Sequence, residues 1–233
     1  MKQTIPTILL MFLYVCFAVN KLSAQQNDRI KAEQDTLSNY YVFDYINSLT
    51  TRDYLTQLDS LKNYFACDFF TLRMAYTKTP DYSPYGISMG DSLKEIRKRI
   101  ESNQYKKALQ ILNNVQKIEF VNILSHLYCG YIYRETGDSI QSEYHYFIYQ
   151  SLLKSILHSG DGVSPKTAYI VISTKEEYLF LDWFNLNYSS QSLMHQDGFS
   201  FDVFSTTDPE TGEEFEIYFN IQLPFDVLSK SFE

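Results

Sequence analysis

Four histidines are the side chains in this sequence best suited to proton transfer or metal ligation: His126, His145, His158 and His195. No two of them stand at H-x-x-x-H spacing, and no C-x-x-C pair accompanies them. His126 and Cys129 are three residues apart and can share one face of a helix. A zinc site needs further ligands that the spacing does not supply. Asp161 lies between Gly160 and Gly162. As an exposed carboxylate it could do acid–base work only beside a partner carboxylate or histidine, and the sequence shows no such pairing. Residues 208–214 are acidic but lack the ordered oxygen spacing of an EF-hand loop. The chain contains no G-x-S-x-G, Walker loop or dinucleotide fingerprint. The sequence therefore indicates no catalytic residue, no metal and no cofactor. Any catalytic carboxylates would have to be assembled by the fold.

Tyrosine is the other chemically expressive residue, present 20 times. Tyr128, Tyr131, Tyr133, Tyr144, Tyr146 and Tyr149 crowd two adjacent helical stretches. A buried phenol needs a partner for its hydroxyl, so such crowding suits either a Tyr-rich core that reaches water or a groove. Tyr82 and Tyr85 fall in a Pro- and Gly-rich loop, residues 78–90, and are the hardest to assign to a core. Tyr82, Tyr85, Tyr128, Tyr131, Tyr133 and Tyr149 form the candidate ligand-binding set: rigid aromatic surface of the kind that takes a peptide or a glycan.

The elements that must position these residues change character along the chain. Leu37, Tyr41, Tyr45 and Leu49 suit a first helix, and Leu55, Leu58, Leu61 and Phe65 continue the helical spacing. A short helix over Phe69, Leu72, Arg73 and Tyr76 follows. Ser92-x-x-Glu95 reads as a capping box opening a helix with Leu93, Ile96 and Ile100 inward. A turn at Ser102-Asn103-Gln104 leads to a second helix with Ala108, Leu112 and Val115 on one face, and a third covers about 122–135. An offset of 34 residues aligns Ala108 with Ser142, Leu112 with Tyr146 and Asn103 with Gly137, the period of a tetratricopeptide repeat.

Residues 139–158 carry two apolar stripes at about 100° per residue. Ile140, Tyr144, Phe147, Ile148, Ser151, Leu152 and Ile156 form one. Tyr146, Tyr149, Leu153 and Leu157 form the other, and Glu143, Gln150 and Lys154 make a thin polar strip. A helix with two stripes is packed on both sides, so this one joins two layers.

Past Gly160 the period shifts towards two. Residues 168–173 (AYIVIS) read as a strand, and Thr174-x-x-Glu177 as a second capping box. Asp197-Gly198 marks a hairpin turn between residues 192–196 and 199–204. Phe215, Ile217, Phe219 and Ile221 alternate along a last strand, and residues 223–232 form a short helix. The expected class is α+β: tetratricopeptide-like helical hairpins over 37–158, then a small antiparallel sheet of three to four strands with one or two helices over 159–233.

The first residues have the layout of a secretory signal: Lys2, a short apolar run interrupted by Pro6, then Ser23-Ala24 before Gln25. Residues 1–24 are expected to be removed on export and 25–36 to be a flexible lead-in. The mature chain has no membrane-spanning candidate and is placed in the periplasm or outside the cell. The formal charge is −8, and loss of the leader takes Lys2 and Lys21 with it. An acidic chain is a poor partner for nucleic acid. Cys67 and Cys129 could pair in an oxidising compartment, but both stand in apolar helical surroundings where a free thiol acts as a small hydrophobe. They are expected to be unbridged.

Ser159-Gly160-Asp161-Gly162, residues 168–173, Glu177-Tyr178, Gln191-Ser192-Leu193 and Tyr218-Phe219-Asn220 follow in an order that resembles a family of secreted bacterial proteins, domain of unknown function 4919. Residues 72–76 followed by Tyr82 and Pro84-Tyr85 resemble its N-terminal half. The resemblance implies a signal peptide, helical hairpins and a C-terminal sheet, and it supplies no catalytic residue. The functional expectation is a non-catalytic interaction protein for peptide, protein or glycan. The alternative is an envelope-acting hydrolase whose carboxylates the fold brings together.

Overall fold

In the computed structural model, residues 39–61, 67–86, 90–209 and 211–231 are described. The signal segment 1–24, the lead-in 25–36 and Phe65 lie outside them. Phe43–Glu233 forms one compact unit. The helices come first: α1 Asn39–Ser48, α2 Thr51–Ser60, α3 Phe69–Tyr76, α4 Gly90–Glu101, α5 Tyr105–Ile118, α6 Ile123–Glu135 and α7 Ser139–Leu157. The strands follow: β1 Tyr169–Ile170, then helix α8 Thr174–Trp183, β2 Asn187–Gln196, β3 Phe199–Thr207, β4 Glu214–Asn220 and helix α9 Gln222–Lys230. The class is α+β.

The hairpins α4–α5 and α6–α7 share the geometry that the 34-residue offset implies. Asn103 and Gly137, aligned by that offset, both adopt left-handed backbone, with φ of 53° and 84°. A helix commonly ends on such a residue, and Gly or Asn takes it at least cost. The aligned Ala108 and Ser142 are both buried. Gly130 leaves room for the Tyr146 ring, whose carbons would lie 3.1 Å from an added Cβ. Ile96, Ala108, Leu112, Cys129 and Ile132 form the core of this region.

Helix α7 is packed on both sides over its C-terminal half. Ile148, Leu152 and Ile156 are buried, and so are Tyr149 and Leu153 on the other stripe, while Glu143, Gln150 and Lys154 face water. Ile140 departs from the expected stripe: it is 73% exposed, because it sits in the first turn, beyond the reach of either layer. In α1 the inward residues are Phe43 and Ile46, Leu49 is buried just past its end, and Tyr45 is exposed. The expected Tyr41/Tyr45 face is therefore out of phase with the real one. Leu55, expected inward, is exposed on α2.

The sheet has order β1-β4-β3-β2. It is mixed, not purely antiparallel, since β1 runs parallel to β4 with Tyr169 opposite Phe219. The reason is the long return: β1 enters from α7, and the chain passes through α8, β2 and β3 before β4 comes back beside it. Of the expected 168–173 strand only Tyr169–Ile170 pairs as β1, and Val171 adds one further bond to Asn220 O at 3.3 Å. The hairpin turn is as expected, with Asp197 and Gly198 both at positive φ. Strand β2 is longer than expected, starting at Asn187.

Both expected capping boxes are corrected. Helix α4 begins at Gly90, so Ser92 lies inside it, and Glu95 is taken by Arg99 one turn on. Helix α8 has Ser173 as its N-cap, and Glu176, not Glu177, reaches back, accepting from Ile172 N at 2.9 Å. That one-residue shift releases Glu177 for a different environment.

Candidate functional site around Glu177 and Asp202

Successive residues on a helix point about 100° apart, so Glu176 and Glu177 face different surroundings. Glu176 meets Arg73 of α3, a fully buried guanidinium. Arg73 Nε donates to Oε1 at 3.1 Å and Nη2 to Oε2 at 2.6 Å, a two-point fork. The remaining donors reach Ser155 Oγ on α7 at 3.1 Å and Ile170 O on β1 at 3.0 Å. One side chain thus ties α3, α7, β1 and α8 together. A buried charge is tolerated when paired and fully hydrogen-bonded in this way.

Glu177 has no such partner. It is 0% exposed, and among the described residues neither of its oxygens has a hydrogen-bond partner. The group beside it is another acid, Asp202 of β3, itself 7% exposed. Burial, and then the negative charge of Asp202, push the Glu177 carboxyl up to about 10. It therefore holds a proton at neutral pH, and that proton is drawn towards Asp202.

A polar chain connects this pair to the surface. Asp202 Oδ2 accepts from Gln191 Nε2 at 2.9 Å, and Gln191 Oε1 accepts from the Tyr178 hydroxyl at 2.8 Å. Gln191 and Asp202 lie on neighbouring strands, one pleat apart on the same face, since Gln191 pairs with Phe204 and Leu193 with Asp202. Tyr178 and Tyr188 are exposed, their rings 6.1 Å apart, and both edge onto Phe204. Leu193 is exposed on the same strand.

Of the candidate tyrosines, Tyr82 and Tyr85 belong to this region. The Tyr82 hydroxyl donates to Ile172 O at 2.7 Å, and Lys175 Nζ donates to Gly86 O at 3.1 Å, pinning the loop to the start of α8. Tyr85 is exposed, and after burial the charges of Glu177 and Asp202 raise its phenol. The other four lie elsewhere. Tyr128, Tyr131 and Tyr133 are half-buried on α6 against the hairpin core; Tyr128 accepts from Arg97 Nε, Tyr131 lies under Arg134 and Tyr133 stacks on His145. Tyr149 is buried and stacks on Trp183.

The remaining residues considered for chemistry have structural surroundings. His126 Nε2 donates to Phe120 O at 2.7 Å, so its Nδ1 must accept, and His145 Nδ1 donates to it at 3.0 Å. Cys129 Sγ lies 3.4 Å from Gln116 Nε2, and both Cys67 and Cys129 are free thiols. Asp161 Oδ1 accepts from Val163 N in the turn after α7. Gly160 is needed there because a Cβ would meet Thr167 O at 2.2 Å.

Glu177, Asp202 and Gln191 were not legible as a site. Residues 177 and 202 are 25 apart, with no spacing rule to join them. One signal was present: Asp202 stands in a strand buried on both faces, flanked by Phe201 and Val203, where an acid is costly.

The family model described as Domain of unknown function (DUF4919) matches residues 28–230. The chain belongs to this family. No curated protein and no solved structure matches it. Within this DUF4919 chain, two of the segments that carry the resemblance, Glu177-Tyr178 and Gln191-Ser192-Leu193, are the ones the fold brings together. A third, Ser159-Gly160-Asp161-Gly162, builds the turn against Thr167, where Asp161 N and Gly162 N both donate to Thr167 O. Among the described residues, no helix is long and apolar enough to cross a membrane.

Proposed function

We propose that this protein is an exported interaction protein, secreted or periplasmic, that binds a peptide or glycan on the face formed by α8 and β2. The observation that carries the reading is the hydrogen-bonded chain Tyr178–Gln191–Asp202, leading from an exposed aromatic surface to a buried acid pair. Exposed aromatic rings beside an amide and a carboxyl suit a polar chain with apolar faces. Strand β2 strengthens it: all its residues but Met194 are exposed, so they are available to a partner along its length. A buried, unpartnered acid is costly to the fold, and such groups concentrate where function requires them.

The test is a titration of the 15N-labelled protein with soluble peptidoglycan fragments, which carry both peptide and glycan. The reading expects shifts at Tyr178, Tyr188, Gln191 and Leu193, lost in Gln191→Ala. Shifts confined to Tyr128, Tyr131 and Tyr133, or none, would overturn it.

The acid pair also favours a second reading, hydrolysis of the bound chain. A carboxyl that keeps its proton beside a negatively charged one is the arrangement of a general acid and its partner. Cleavage products formed by the parent and not by Glu177→Gln would support hydrolysis over binding alone.

A further inference from the structure

The Glu177–Asp202 pair is short of a cation, and three facts define the shortage. Among the described residues no Lys or Arg forms a salt bridge with either acid. The nearby guanidinium of Arg73 is committed to Glu176, Ser155 and Ile170, and Lys175 spends its Nζ on Gly86 O. Both Glu177 oxygens, fully buried, lack any donor. Elsewhere in this chain a buried acid is answered by a built-in cation, as Glu176 is by Arg73.

We infer that the ligand supplies the missing cation: the α8/β2 face recognises a primary ammonium group, as on a lysyl side chain or an amino sugar, and anchors it between Glu177 and Asp202. This rests on the binding face proposed above and names its ligand class. An ammonium offers three donors and no acceptor, which suits Glu177, whose oxygens accept from no protein donor. With one proton retained the pair carries a single negative charge, which a monocation neutralises. Tyr85, Tyr178 and Tyr188 are exposed in the same region, and aromatic rings attract a cation. A second mode follows from the same geometry: a strongly bound ammonium displaces the proton of Glu177 into solvent. The charged and titratable groups facing the pair are Glu176 with its Arg73, Tyr178 on α8, and Tyr85 on the loop.

The experiment is calorimetric titration of the full mature chain with the tripeptide Ala-Lys-Ala and with its Nε-acetylated counterpart, at pH 6 and pH 8, in buffers of differing ionisation enthalpy. The expected result is at least tenfold tighter binding of the free amine, and the same loss of preference in Glu177→Gln and Asp202→Asn. Equal affinity for the two peptides, with shifts still centred on Tyr178 and Gln191, overturns the ammonium assignment while leaving the binding face in place. Binding of calcium that excludes the peptide overturns it as well. No binding of either peptide, with peptidoglycan fragments also silent at Tyr178 and Gln191, overturns both the inference and the face. Because Asp202→Asn could unfold the sheet, Gln191→Glu provides a second arm: an added acid on the same path should strengthen the amine preference, and a weaker one contradicts the assignment.

Discussion

Gln191 on β2 donates to Asp202 on β3 at 2.9 Å, and that one bond joins the exposed edge of the sheet to its most unusual buried group. Gln191 is held in turn by Tyr178, so an exposed ring, an amide and a buried carboxyl form one hydrogen-bonded chain. Beyond Asp202 lies Glu177, whose oxygens have no donor. The pair is anchored from behind by the Arg73–Glu176 fork, which fixes the first turn of α8.

That fork gives the first prediction. Arg73→Ala strands the Glu176 carboxylate in the core and removes ties to α7 and β1. Breaking one partner of a buried ion pair costs roughly 3–5 kcal/mol. Replacing both, as in Arg73→Met with Glu176→Gln, should recover a large part of the loss. Urea midpoints of the single and double variants check this. A single variant within about 0.5 kcal/mol of the parent would show the fork to be idle.

Helix α7 gives the second. Leu153 is buried on the stripe opposite Ile148 and Leu152, while Gln150 faces water. Leu153→Asp buries an unpaired charge and should cost several kcal/mol. Gln150→Asp should cost about 0.5 kcal/mol or less. Equal urea midpoints for the two variants would mean that one side of α7 is bare.

The histidine pair gives the third. Burial lowers His126 to about 3, with the charge of His145 contributing, and burial lowers His145 to about 4. In the unfolded chain both titrate near 6.5. Groups lowered by folding stabilise the native state above their unfolded value and lose that contribution as pH falls. Each imidazole therefore costs roughly 1.4 kcal/mol per pH unit below about 6.5, until its own folded value is reached. His126→Gln should be less stable than the parent at pH 7, and the gap should narrow by pH 5. A gap constant over that range would mean the pair is not buried neutral.

The fold was legible where local rules govern. The 34-residue offset found the hairpins because a left-handed turn at Asn103 and Gly137 and a small residue at Gly130 are local requirements with fixed spacing. The turn at Asp197-Gly198 was legible for the same reason. The phase of α1 was not, because Tyr45 and Phe43 are both aromatic and only the tertiary partner decides which one turns inward. The cap of α8 was misread by one residue because Thr174 and Ser173 offer the same hydroxyl, and the difference decides whether Glu177 caps a helix or enters the core. The parallel β1–β4 pairing depends on a contact 50 residues apart in register, Tyr169 with Phe219, on which local pattern is silent. The site was illegible for that reason too: Glu177, Gln191 and Asp202 meet only once α8 lies on the sheet.

The most direct test of the central claim, that Glu177 is kept for binding at the expense of stability, is to measure both quantities on Glu177→Gln. A folded value of about 10 against 4.5 in the unfolded chain means that stability is full below pH 4.5 and is lost as pH rises towards 10. Glutamine is a neutral mimic free of that penalty. The account predicts that the variant lies close to the parent near pH 5, gains roughly 4 kcal/mol on it by pH 8, and binds peptidoglycan fragments at least tenfold more weakly. A variant less stable than the parent at pH 8, or one that binds the fragments equally well, would contradict it.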